Sequence, residues 1–166
     1  MILGIAIGSF VFFHTLITLV AIATGIVMLQ GMLQNRGMAQ IHAVFLLFSV
    51  LTAVTGFMIQ TSPVTPAVSL GYILSALLIV ALVARYLFAM AGMWRWIYVV
   101  TAVAALYSNC FVLVIQLFLK VPALHAIAPG APPGGPVFGI VQLLVLAFFV
   151  VAGYLAVRRF QPSRAK

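Results

Sequence analysis

The chain has 166 residues, 66% of them hydrophobic and only 5% charged, where a soluble domain is about one quarter charged. Eight Lys and Arg stand against no Asp or Glu. Paired-carboxylate acid–base catalysis, Ser-His-Asp hydrolysis, carboxylate proton relays and Ca²⁺ or Mg²⁺ sites therefore lack their side chains. The single cysteine, Cys110, allows neither an internal disulfide nor a cysteine-based metal cluster.

Long runs free of charge read as membrane-crossing helices, each needing about 20 apolar residues. Five such segments follow one another. The first spans residues 3–33 and the second 39–60. "TSPVTP" (Thr61 to Pro66) then interrupts the pattern, because proline disfavours continuation of a helix. The third segment spans 67–88 and the fourth 95–119. A loop over residues 121–136 holds five prolines and reads as a stiff, uncharged outer connector, or else as a segment that docks on a partner or covers the outer end of the bundle. The fifth segment spans 137–157, and a basic tail occupies 158–166. The expected fold is all-α: one polytopic transmembrane domain of five helices. "AIA" at Ala21 to Ala23 resembles a signal-peptidase site, but no cation precedes the run and the run continues past it, so a retained helix is expected.

Loop charge sets the expected orientation. One side carries Arg36, Arg85, Arg95, Arg158, Arg159, Arg164 and Lys166, the other only Lys120. Cytoplasmic loops collect Lys and Arg, so the N-terminus is expected outside and the C-terminus in the cytoplasm. Tyr86, Trp94, Trp96 and Tyr98 read as an aromatic belt at the second cytoplasmic turn. Arg36, Arg85, Arg95, Arg158 and Arg159 are expected on lipid headgroups. A carboxylate-bearing partner chain is the other destination for cations that lack an acid in their own sequence.

Each segment carries a stripe of small or polar residues. In segment four, Tyr98, Ala102, Ala105, Asn109, Leu113, Gln116 and Lys120 fall within about 40° of Asn109 on a helical wheel. His14, Thr18, Ala21 and Gly25 align on segment one, and His42, Ser49, Ala53, Gly56 and Gln60 on segment two. Segment three has Gly71 and Ser75, and segment five aligns Gln142, Phe149, Gly153 and Ala156. Two readings stay open. Small residues allow helices to approach closely and polar ones bond across them, which makes a packing seam. Alternatively Asn109, Gln116 and Lys120 line a solute path or ligand pocket, since polar groups in a membrane are often functional. His14 and His42 lie at different depths and do not pair on one haem. His14, alone or with His125 of the proline-rich loop, is the candidate ligand for haem b. Three scattered histidines do not make a zinc site. Cys110, at mid-membrane depth, is expected to be inert.

The words "HTLITLVAIATG" (from His14), "HAVFLLFSVLTAVTG" (from His42) and "SNCFVLVIQLFLKVPALHAIAP" (from Ser108) resemble small polytopic inner-membrane proteins of bacteria. The resemblance implies a multi-pass inner-membrane location and no particular activity. Six Arg against two Lys, with much Ala, Val and Gly, fits a GC-rich bacterial genome. The favoured expectation is an accessory or scaffold subunit without catalytic machinery, associating with other membrane chains or with itself and not with nucleic acid. The alternatives are a haem-binding redox protein using His14, and a channel or transporter for a neutral or anionic solute along the Asn109 stripe.

Overall fold

A computed structural model of the chain describes residues 6–59 and 66–161. Gln60, the segment Thr61 to Thr65, and the tail cations Arg164 and Lys166 lie outside the described residues. Among those described, all regular structure is helical. The helices are α1 (Ile7–Leu33), α2 (Ala39–Ile59), α3 (Pro66–Leu82), α4 (Met93–Lys120), α5 (Pro122–Ile127) and α6 (Gly135–Arg159). A π-helical turn, Val83–Leu87, continues α3. Five helices are long and apolar enough to cross a membrane: α1, α2, α3 with its π turn, α4 and α6. The fold is therefore an all-α bundle of five candidate spans.

The proline-rich stretch is more ordered than a connector. Its first part forms α5, with a proline in the first turn, where the missing N–H costs nothing. Ala128, just beyond, is buried.

The most buried span is α4, which packs against α1, α2, α3, α5 and α6. Around it the order is α3, α2, α1, α6, each touching the next. The spans are apolar all round, so hydropathy alone does not tell core from lipid. Small residues do. Ala102 and Ala105 of α4, Ala21 of α1, and Ala152 and Ala156 of α6 are at most 5% exposed. Leu143, Leu144, Phe148, Val150 and Val151 of α6 are each about 60% exposed or more and form a lipid-facing side. Gly25 marks the closest approach. A Cβ placed there would lie 2.5 Å from Leu106 Cδ1 and 2.9 Å from the Phe45 ring.

The bundle has two chemically distinct ends. The arginine end holds the turns α1–α2 and α3–α4 and the close of α6. The lysine end holds the start of α1, the close of α2 and α4, and α5. At the arginine end α1 stops in a Schellman motif: Arg36 N–H bonds Gly31 O at 2.8 Å and Asn35 N–H bonds Met32 O at 3.2 Å. Asn35 takes the left-handed conformation this needs, at φ 55°. Its side-chain oxygen accepts the Gln161 N–H at 2.7 Å, tying the turn to the end of α6.

Candidate ligand cavity

A half-open cavity of about 490 Å³ lies between α1, α2, α3 and α4 at the lysine end. That is within the roughly 300–1,000 Å³ range of small-molecule sites. Most of its wall is aliphatic, from residues such as Val11, Leu74, Val112 and Leu113. Its polar lining is His14, Thr15, Thr18, Thr52, Ser108, Asn109, Gln116 and Lys120. Lys120 is the one cation among the lining residues.

The helix geometry explains how these residues meet. Lys120 ends α4, and Asn109 lies about 16 Å deeper along the same face at 1.5 Å per residue. Tyr98 lies about as far again toward the arginine end. Exposure changes along this stripe: Tyr98, Ala102, Ala105 and Asn109 are buried, Leu113 is half-buried, and Gln116 and Lys120 are exposed. One helical face is thus a packed seam below Asn109 and a cavity wall above it. The Asn109 amide donates to Ser49 Oγ at 3.4 Å, a long bond across to α2. Asn109 therefore belongs to both parts.

His14 reaches the cavity from α1. Its Nδ1 lies 2.7 Å from Thr55 Oγ1 of α2. The Thr55 hydroxyl donates its proton to Leu51 O at 2.6 Å, so His14 Nδ1–H is the donor and Thr55 the acceptor. In the neutral ring this leaves the lone pair on Nε2. Gly56 of α2 lies beside the His14 ring, where a Cβ would make ordinary van der Waals contact at 3.5 Å from Cε1. His125 does not line the cavity. It sits on α5, exposed, and its Nδ1–H donates to Phe118 O at 3.3 Å. The structure brings His14, Asn109, Gln116 and Lys120 together and leaves His125 outside that group.

The arginine end is closed. His42 is 1% exposed and stacks between Tyr98 and Phe160, at ring separations of 5.6 and 5.5 Å. It shares a 2.7 Å hydrogen bond with the Tyr98 hydroxyl. Tyr98 is fully buried, so it is a core residue and not part of an aromatic belt. Two of the five arginines expected on headgroups turn into the protein. Arg85 donates to Ala39 O at 3.0 Å and lies over the rings of Tyr86 and Tyr98 at 5.6 and 5.5 Å. Arg95 donates to Val157 O at 2.9 Å and to Phe160 O, capping the last carbonyls of α6. Arg36, Arg158 and Arg159 are exposed, and Arg158 bonds the Tyr154 hydroxyl at 3.1 Å.

Two functional features escape the sequence. Thr55 lies off the α2 stripe, and only the packing of α1 shows it orienting His14. The inward turn of Arg85 depends on the π turn, which widens the helix where Arg85 and Tyr86 sit. Cys110 is half-buried, and no group of three or more His, Cys, Asp or Glu is placed to hold a metal among the described residues.

The fold defines a multi-pass helical membrane protein with a half-open internal cavity. No family model, curated protein or solved structure matches the chain.

Proposed function

We propose that the protein binds a small amphiphilic molecule in the cavity between α1 and α4, within a bacterial inner membrane. The N-terminus faces out and the arginine end faces the cytoplasm in this reading, as the charge asymmetry of the turns favours. The observation that carries it is the joining of His14, Asn109, Gln116 and Lys120 in the wall of one 490 Å³ space. A stripe serving packing alone has no need of open volume beside it. Below Asn109 the buried side chains of Tyr98, Ala102, Ala105 and Leu106 fill the bundle, which favours a blind binding site over a continuous channel. The accessory-subunit expectation loses part of its basis, because Arg85 and Arg95 find carbonyl partners within the chain.

The test is native mass spectrometry of the full chain, gently extracted from its own membranes, beside Val112→Trp, which fills the cavity from α4. The expected result is a small-molecule adduct on the wild type that is absent from the variant. An adduct kept by Val112→Trp, or none on the wild type, overturns the reading. A second chain at fixed stoichiometry instead identifies a subunit.

One observation favours a second reading, haem b on His14. The Thr55 bond fixes the ring through Nδ1 and leaves the Nε2 lone pair, the arrangement of a metal-ligating histidine. It predicts a Soret band lost in His14→Ala. A colourless protein after expression with haem supply rejects it.

A further inference from the structure

A molecule dissolved in lipid gains little by exchanging lipid tails for an apolar cavity wall, because the two surroundings are equally dry. Selection must come from the polar groups of the wall, and specifically from those the protein leaves unpaired. The deep hydroxyls, the His14 Nδ1–H and the Asn109 amide N–H already have partners. Thr15, Thr18 and Thr52 donate to Val11 O, His14 O and Phe48 O at 2.8, 2.9 and 2.9 Å. Ser108 donates to Ala104 O at 2.9 Å, the Asn109 amide to Ser49, and His14 to Thr55. Such back-bonded hydroxyls can be covered by an apolar chain without stranding a proton.

The mouth is different. Gln116 and Lys120 are exposed, line the cavity, and make no hydrogen bond to the described protein. The sequence contains no Asp or Glu to neutralise Lys120. The site is thus a half-open cavity whose hydroxyls are satisfied within the protein, with the His14 Nε2 lone pair on its wall, one ammonium and one amide at its mouth, and Asn109 about 16 Å farther along α4.

We propose that the occupant is a single-tailed monocarboxylate, a free fatty acid taken from the bilayer. Its carboxylate sits at Lys120 and Gln116, and its tail runs down toward Ser108 and Asn109. This rests on the cavity-binding reading above. One ammonium matches one negative charge. A phosphate monoester carries nearly two and is best met by the guanidinium fork, and no arginine lines this cavity. The volume suits one tail and not a two-tailed phospholipid.

The experiment uses the full chain in nanodiscs of zwitterionic lipid at alkaline pH. The probes are a fluorescent polyene fatty acid, its methyl ester, and the phosphate monoester of the matching alcohol. The wild type is expected to bind the acid about tenfold more tightly than the ester, the scale of one charge-assisted hydrogen bond. Lys120→Gln should lower the acid to the affinity of the ester and leave the ester unchanged, while Lys120→Arg keeps the preference. Because Lys120 is exposed and bonds nothing in the described protein, both variants should fold. Equal binding of acid and ester by the wild type overturns the charged-head proposal and leaves the cavity reading standing. A stronger grip on the phosphate ester overturns the carboxylate and identifies a phosphate head. No uptake of any probe overturns the proposal, and the adduct comparison with Val112→Trp then decides the cavity reading separately.

Discussion

At the arginine end His42 is enclosed by two rings, bonded to Tyr98, and flanked by Arg85, with Arg95 fastening the close of α6. At the lysine end His14 holds one bond to Thr55 and borders open space, and Lys120 has no partner among the described residues. Both ends contain a histidine on a small-residue stripe, a nearby cation and a face of α4. They differ in the bulk that follows. Tyr98 and Phe160 fill the arginine end, while Gly56, Gly71 and hydroxyls border the lysine end. The contrast teaches that a polar stripe in a membrane helix has no single meaning. It packs where large rings close over it and becomes a wall where glycines and hydroxyls leave space among the aliphatic side chains.

The largest expected break in this contrast is Tyr98→Ala. It removes a fully buried ring, the partner of His42 and a surface for Arg85, and should cost about 3–5 kcal/mol. Detergent-titrated unfolding reads it. A loss no larger than that of an Asn109 variant would mean that the arginine end does not anchor the bundle. Next comes Gly25→Val, which drives a β-branched side chain toward Leu106 and Phe45. Overpacking of this kind costs about 1–3 kcal/mol, against a small gain in helix propensity. An unchanged midpoint would show that α1 shifts freely against α2 and α4.

Much of this architecture is written in local pattern. The five spans follow from hydropathy and length. The stripe on α6 follows from spacing, and Gln142, Phe149 and Ala156 are indeed buried. On α4 the stripe predicts which face turns inward, and Tyr98, Ala102, Ala105 and Asn109 are all buried. What spacing does not carry is the distance between faces. Whether Asn109 meets a ring or a void depends on Ser49, Thr52 and Leu74 from other helices. Arg85 shows the same limit. Loop position alone gives a headgroup ligand, but the π turn and the neighbouring Tyr98 draw it inward.

Asn109→Leu tests the boundary between the two regions. The bond to Ser49 is long, and interhelical bonds in membranes average about 0.6 kcal/mol, so stability should fall by about that much. Leucine keeps the branched outline of asparagine and replaces its amide with two methyls, so the polar contacts at the cavity floor are lost without a change in bulk. Lost uptake with near-normal unfolding places Asn109 with the wall. Normal uptake with a loss of several kcal/mol places it with the seam instead.

The smallest expected effect on stability is the sharpest test of the contrast. Lys120→Gln removes the one Lys or Arg of the lysine end among the described residues, yet that cation bonds nothing in the described protein and lies exposed at the last turn of α4. Its remaining contribution is its charge at the negative end of the helix dipole, about 0.3–1 kcal/mol and screened by salt. At physiological ionic strength the unfolding midpoint should therefore move by less than about 0.5 kcal/mol, as for most surface substitutions. Arg95→Gln is the matched control, because its charge is held by Val157 O and Phe160 O. It should cost about 1.5–3 kcal/mol, the range for a charged hydrogen bond, and should loosen hydrogen exchange at the close of α6. If the two losses are equal, the two ends use their cations alike and the lysine end is structural. If Lys120→Gln is silent in unfolding but changes which molecules the chain retains, that cation serves a ligand and not the fold.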